Sequence, residues 1–97
     1  LGLMNEASLC ENYIQYRAAK GIGPLKIIQE LKLKGLPQEL IMDSLHKAEI
    51  DWNVVVQTVY EKKFGCAYVQ DIKEKNRQIR FLLSRGFSNE LIKNMLN

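Results

Sequence analysis

The sequence predicts an all-α protein made of two tandem three-helix repeats that stack into one elongated helical body. Six stretches carry apolar residues three and four positions apart, a spacing typical of amphipathic helices, and glycine, proline and capping residues separate them. An internal repeat is also present: residues 35–41 (GLPQELI) resemble residues 86–92 (GFSNELI), at an offset of 51 positions. In a chain of 97 residues, one such unit is too small to bury a large core, so we expect the two units to stack.

The repeat divides the chain into three parts. Residues 1–4 are interpreted as the end of a preceding repeat, residues 5–48 as a first complete repeat and residues 49–97 as a second. Because the chain begins Leu-Gly-Leu rather than with methionine, we interpret it as the C-terminal fragment of a longer protein.

The helices of the first repeat are delimited by breakers. Gly21 and Gly23 give the backbone freedom for a tight corner, Pro24 suits the first position of the next helix, and Gly35 is the residue type that ends it. The predicted helices span 6–19, after an N-cap at Asn5, then 24–34, and then a third that has Pro37 in its first turn and extends to residue 48. The residues expected on their buried stripes are Leu9, Cys10, Tyr13, Ile14, Tyr16, Leu25, Ile28, Leu31, Leu40, Ile41, Leu45 and Ala48.

The second repeat follows the same plan. Asp51 and Ser88 are predicted N-caps, while Gly65 and Gly86 end helices. The predicted helices span 52–64, 71–85 and 89–95, with a connector at 66–70. The residues expected on their buried stripes are Val55, Val56, Val59, Tyr60, Phe64, Ile72, Ile79, Leu82, Leu83, Leu91 and Ile92. Trp52 either packs between the repeats or stays half exposed.

No set of catalytic or metal-binding residues can be assembled from the sequence. His46 is the single histidine, and Cys10 and Cys66 lack a metal-ligand spacing, so both cysteines are interpreted as small buried hydrophobes. We therefore expect a protein that is not an enzyme and needs no metal or cofactor. The cysteine usage fits a reduced setting better than a disulfide scaffold, no apolar run reaches the length of a membrane helix and no signal peptide is visible, so we expect a cytoplasmic protein. We also expect a monomer.

Charge is segregated along the chain, although the net charge is only +3. Residues 1–34 hold five basic and three acidic residues, residues 35–60 hold one and four, and residues 61–85 hold seven and three. A solvated helix face and a docking surface for acidic protein or phosphate remain equally good interpretations of the basic segments. The candidate contact residues are Arg17, Lys20, Lys26, Lys34, Lys73, Arg77 and Arg80.

A helix–turn–helix arrangement is typical of DNA readers, but the charge pattern disfavours groove reading. The helix that would enter the groove starts Pro37-Gln38-Glu39, and its repeat copy starts Ser88-Asn89-Glu90, so each places a carboxylate near the phosphates. Weak, nonspecific DNA contact through Lys73, Arg77 and Arg80 stays open, and so does the alternative of a helical nucleic-acid-binding module that acts directly on DNA.

Several short motifs occur together in the order of one known family. In the first repeat they are Lys20-Gly21-Ile22-Gly23-Pro24, Ile27, Glu30-Leu31 and Lys34-Gly35. In the second they are Asp51-Trp52, Lys63-Phe64-Gly65 and Arg80-Phe81-Leu82-Leu83-Ser84-Arg85-Gly86-Phe87. The whole chain thereby resembles the C-terminal two of the usual three repeats of the RecX family, regulators of the bacterial recombinase RecA.

This resemblance implies a non-enzymatic regulator that binds the RecA–DNA filament in its helical groove and suppresses ATP hydrolysis and strand exchange by RecA. It places the protein in homologous recombination, DNA repair and the SOS response. One position departs from the family pattern, since Ala18-Ala19 stand where a further basic residue is usual. A third hypothesis is that these two repeats form only a stable core and that activity needs the missing first repeat.

Overall fold

The computed structural model describes residues 6–65 and 71–96 and confirms the all-α prediction. In these ranges the chain forms six helices and no strand. The helices are α1 Glu6–Ala19, α2 Pro24–Leu33, α3 Gln38–Ala48, α4 Trp52–Phe64, α5 Ile72–Ser84 and α6 Asn89–Leu96. The body measures 55 × 19 × 17 Å, so the predicted elongated shape is also confirmed.

The repeat is visible in the backbone hydrogen bonds that end α2 and α5. After α2, the N–H of Leu36 donates to the carbonyl of Leu31 at 3.2 Å, and Gly35 has φ +90°. After α5, the N–H of Phe87 donates to the carbonyl of Leu82 at 3.2 Å, and Gly86 has φ +97°. Both ends are the left-handed glycine stop that satisfies the last carbonyls of a helix, so the same turn occurs twice, 51 positions apart.

The predicted caps of the second repeat are present. The carboxylate of Asp51 accepts hydrogen bonds from the backbone N–H groups of Asn53 and Val54, and the hydroxyl of Ser88 accepts one from Leu91. Pro37 is placed one position differently from the prediction: it is the extended residue before α3, with ψ 148°, and not part of the first turn.

The core consists of two clusters, one per repeat. The first contains Cys10, Ile14, Ile22, Ile27, Leu31 and Ile41, and the second contains Val56, Leu82, Phe87 and Ile92. Trp52, at the start of α4, is half-buried and packs against both clusters. The two units therefore stack through a shared aromatic residue, which satisfies both interpretations of Trp52.

Several predicted stripe residues lie on the wrong side of their helices. Leu25 is 53% exposed and Ile72 is 73% exposed, and Leu9, Tyr16 and Leu83 are exposed as well. In α2 the buried residues are Ile27 and Leu31, so the neighbouring helices pack on the side of α2 that carries Ile27 and not on the side that carries Leu25. Leu31, Ile41, Leu82 and Ile92 are buried as predicted, whereas Tyr13, Leu40, Leu45, Ile79 and Leu91 are half-buried.

Two polar side chains occupy core positions that the hydrophobic pattern does not reveal. Ser44 is fully buried in α3, and its hydroxyl has no hydrogen-bond partner in the described part of the chain. Gln78, the repeat equivalent of Ile27, is buried in α5 and accepts a hydrogen bond from the hydroxyl of Tyr60 at 2.9 Å. The second core therefore replaces an apolar contact of the first with a buried polar pair, which needs its hydrogen bond to avoid a desolvation cost.

Three predictions concern residues outside the described ranges: the preceding repeat at 1–4, the cap at Asn5, and Cys66 with the connector at 66–70. Cys10 is buried with a free thiol, as predicted. Among the described residues, no helix has the length and apolar character needed to cross a membrane.

Candidate functional site

The two repeats meet at a backbone-to-backbone junction. The N–H of Gly23 donates to the carbonyl of Arg85 at 2.7 Å, and the N–H of Leu25 donates to the carbonyl of Gly86 at 3.0 Å. A Cβ atom placed on Gly23 would lie 2.4 Å from the carbonyl carbon of Gly86. Gly23 has φ −79°, which any residue adopts, so its glycine is required by this close approach and not by positive φ as the sequence suggested.

A groove of about 390 Å³ opens beside the junction, where the corner after α1 faces α4 and α5. Its rim carries four cations, Lys20, Lys62, Lys63 and Arg85, and no carboxylate is among the described residues that line it. Its apolar lining comes from Ala18, Val55, Val59 and Phe81. We call this feature the basic groove.

Phe81 is the aromatic residue of the basic groove, and its ring is already surrounded. The ring of Phe64 meets it edge-on, with centroids 5.4 Å apart. Lys63 Nζ lies 5.3 Å and the Arg85 guanidinium 5.2 Å from the centre of the same ring. These cation–π contacts hold two of the four charges in fixed positions at the rim.

Arg17 is bound to its own repeat rather than presented to a partner. Its guanidinium donates two hydrogen bonds to the carboxylate of Glu30, at 3.0 and 2.8 Å, and the hydroxyl of Tyr13 donates a third at 2.8 Å. The Arg17 hydrogen bonds hold the pKa of Glu30 below its usual value. Burial, together with the bond to Glu30, raises the pKa of Tyr13. The three side chains tie α1 to α2, and this structural role competes with a contact role for Arg17.

The other predicted residues of the first repeat are exposed. Lys20 lies on the rim of the basic groove, with its Nζ 5.4 Å from the ring centre of Tyr16. Lys34 Nζ lies 5.2 Å from the ring centre of Tyr13, and Lys26 is exposed on α2 beside the junction.

Lys26 and Lys34 have basic equivalents 51 positions later, Arg77 and Arg85. Lys34 and Arg85 each lie over an aromatic ring of their own repeat, Tyr13 and Phe81 respectively, although these two rings are not repeat equivalents. Both α2 and α5 therefore present one of these cations within the helix and the other just past its C-terminal end.

Lys73, Arg77 and Arg80 are all exposed on one face of α5, which we call the basic α5 face. Arg77 forms a bidentate ion pair with Glu74, the shorter contact being 2.7 Å. Lys73 and Arg80 form no ion pair with a described residue. Because residues four apart lie on neighbouring turns, Arg77 is followed on its side of the helix by Phe81 and then Arg85, which places the basic α5 face next to the basic groove.

Sequence reasoning missed Lys62, Lys63 and Arg85. The pairing of Lys34 with Arg85 at the repeat offset was a signal that could have identified Arg85. Lys62 and Lys63 gave no comparable signal, since two lysines in the last turn of a helix are usual dipole partners. Lys62 and Lys63 lie in the same groove as Lys20 only because α4 packs beside the first repeat.

Comparison with known proteins identifies relatives for almost the whole chain. Residues 5–45 match the family model described as "RecX, second three-helix domain", and residues 55–96 match "RecX, third three-helix domain". Proteins called "Regulatory protein RecX" are similar in Actinobacillus pleuropneumoniae serotype 5b (46% identity over 91% of this chain and 57% of the relative) and in Haemophilus ducreyi (40% over 96% and 60%). A third, from Pseudomonas entomophila, is 40% identical over 99% of this chain and 62% of its own length. The chain thus spans about three fifths of the relatives it matches.

Proposed function

Since the chain belongs to the RecX family of regulatory proteins, we propose that it binds the RecA–DNA filament and restrains ATP hydrolysis and strand exchange by RecA. The carrying observation is the set of exposed or half-buried cations in two places, at the rim of the basic groove and on the basic α5 face. Such a surface suits a partner rich in carboxylates or phosphates, and a nucleoprotein filament offers both.

The shape of the molecule supports this proposal. Two backbone hydrogen bonds and a shared tryptophan join the two repeats in a body 55 Å long. We therefore expect the repeats to behave as one stiff bar and not as two units on a flexible linker. A stiff bar that contacts successive RecA protomers opposes the relative motion that these protomers need during turnover. Inhibition then requires no catalytic group on the regulator.

The alternative of sequence-specific DNA reading has weaker support. The first turns of α3 and α6 expose Glu39 and Glu90, so the helices that would enter a major groove present carboxylates to phosphates. Nonspecific contact with filament DNA through the basic α5 face remains part of the proposal.

The test is inhibition of the ATPase of RecA assembled on single-stranded DNA. Lys73→Glu combined with Arg80→Glu reverses two exposed charges on the basic α5 face and keeps both Arg77 and Glu74 in place. The matched control, Lys32→Glu with Lys93→Glu, reverses two exposed charges on α2 and α6 that form no ion pair with a described residue. We expect the first variant to need a several-fold higher concentration for half-inhibition, and the control to behave as the parent chain does. Equal inhibition by both variants would remove the basic α5 face from the proposal.

A further inference from the structure

The basic groove has a chemical character different from the rest of the cationic surface. Lys73 and Arg80 stand on an open helix face, whereas Lys20, Lys62, Lys63 and Arg85 surround a concave apolar floor. A flat cationic face attracts any polyanion. A cationic rim around an apolar floor selects a ligand that carries both negative charge and an apolar group.

We propose that the basic groove is a docking site for an acidic peptide segment that inserts one aliphatic side chain between its carboxylates. The inference rests on the proposed function in one respect: the segment belongs to a protein component of the RecA–DNA filament. The floor contributed by Ala18, Val55 and Val59 receives the aliphatic side chain, and the rim receives the carboxylates.

The volume of the groove fits this ligand. About 390 Å³ accommodates one or two side chains, which matches the anchor residue of a peptide segment. Burial of a leucine-sized anchor supplies affinity, and the surrounding charge pairs add specificity more than affinity.

The rim is arranged so that its cations can bind carboxylates without losing other partners. Lys62, Lys63 and Arg85 form no ion pair or side-chain hydrogen bond with the residues that the structure describes. Lys63 and Arg85 are held in place over the ring of Phe81, and this contact leaves N–H donors available for a ligand.

The floor favours a peptide over single-stranded nucleic acid. Proteins that bind single strands without sequence preference offer open aromatic faces on which bases stack. Phe81 is the aromatic residue among the described lining residues, and Phe64, Lys63 and Arg85 already pack around its ring. An aliphatic side chain needs no such face and finds Val55 and Val59 instead.

The test measures binding of a labelled octapeptide, in which one leucine interrupts seven glutamates, to the chain by fluorescence anisotropy. An octapeptide of glutamate alone and a short thymidine oligonucleotide are measured in parallel at about 0.15 M salt. Lys62→Glu with Lys63→Glu reverses the rim, and Lys32→Glu with Lys93→Glu is its charge-matched control, at exposed lysines of α2 and α6 outside the basic groove and the basic α5 face. Thr58→Trp fills the groove from an exposed position on α4, and Gln57→Trp is the control one residue away.

We expect the leucine-containing peptide to bind about tenfold more tightly than the all-glutamate peptide, which corresponds to about 1.4 kcal/mol. The rim variant and Thr58→Trp are each expected to weaken binding about tenfold, with both controls within about twofold of the parent. Circular dichroism identifies any variant that fails to fold. If either the rim variant or Thr58→Trp does not fold, the other still tests the proposal.

Three results would overturn the proposal: no peptide binding, equal affinity for the two peptides, or an oligonucleotide that binds more tightly than the peptide and loses affinity in the rim variant. Its failure is separable from failure of the proposed function. If the parent chain inhibits RecA but does not bind the peptide, only the groove assignment fails. If it binds the peptide but leaves RecA unaffected, the filament role fails and the groove assignment stands.

Discussion

Gly23 and Gly86 touch backbone to backbone, and they join the two repeats through different corners. Gly23 belongs to the corner that precedes α2, whereas Gly86 belongs to the corner that follows α5. The hydrogen bonds from Gly23 to Arg85 and from Leu25 to Gly86 flank this contact. The orientation of the repeats, and with it the basic groove, therefore depends on the absence of a side chain at this point.

Gly23→Ala is expected to open the junction. The new Cβ meets backbone atoms of Gly86 that cannot move aside alone, and overpacking of this kind costs about 1–3 kcal/mol. Hydrogen exchange should show a selective loss of protection at the Leu25 amide, whose acceptor is across the junction.

The control for this prediction is Gly35→Ala, which strains a residue at φ +90° but has open space around it. It should lower protection throughout the first repeat without singling out Leu25. Normal protection of Leu25 in Gly23→Ala would show that the junction does not depend on close approach.

Leu31→Ala and Leu82→Ala are expected to be similarly destabilising, because these repeat-equivalent leucines are each fully buried. Each should cost about 2–5 kcal/mol in the free energy of unfolding, measured with urea. Leu33→Ala is the control, since Leu33 is 85% exposed, and it should change stability by less than about 0.5 kcal/mol. A mild effect at either core leucine would contradict its assignment to the core.

Those leucines show how much of the fold the sequence could predict. The 51-residue offset between Gly35 and Gly86 predicted where each repeat ends its second helix. The burial of Leu31 and Leu82 followed from the same offset, because the core residue four positions before the glycine recurs with it. Which face of each helix is buried was harder to predict from the sequence. In α2 two overlapping stripes, one through Leu25 and one through Ile27, satisfy the same periodicity, and only packing against the neighbouring helices selects the second.

Only part of the candidate site could be predicted from the sequence, because sequence spacing relates residues on one helix but not residues on different helices. Basic residues on α5 are visible in the sequence because they lie on one helix. The basic groove combines Lys20 with Lys62 and Lys63, some forty positions apart, so it exists only after the repeats are stacked. Gln78 was equally hidden, because no hydrophobic pattern predicts a buried amide that Tyr60 satisfies.

Acid is expected to weaken the link between α1 and α2. The folded state lowers the pKa of Glu30, chiefly through hydrogen bonds from Arg17 and also from Tyr13, with nearby Lys26 adding to the effect. This contribution to stability is present above the ordinary carboxyl pKa of about 4.3 and is lost as the pH falls through the lower folded value.

Glu30→Gln should therefore cost about 1–2 kcal/mol at pH 7 and make stability less dependent on pH below about 4.3. Chemical unfolding at a series of pH values measures both effects. Glu39→Gln, which removes an exposed carboxylate on α3, is measured in the same way as the control. A parallel curve for Glu30→Gln would exclude the Arg17–Glu30 contact as a source of stability.

Trp52 is the single tryptophan and packs against both core clusters, so its fluorescence should report the unfolding of both repeats together. Unfolding followed at Trp52 and by far-UV circular dichroism should give coincident transitions. Two separated transitions would mean that the repeats unfold independently and that the bar is not stiff.

The most direct test of the central claim is co-sedimentation of the chain with RecA assembled on single-stranded DNA in the presence of a slowly hydrolysed ATP analogue. The account predicts that the chain pellets with the filament at about 0.15 M salt, that it does not pellet with the same DNA without RecA, and that Lys73→Glu with Arg80→Glu reduces its share in the pellet. Recovery in the supernatant with the filament, or equal pelleting with bare DNA, would contradict it.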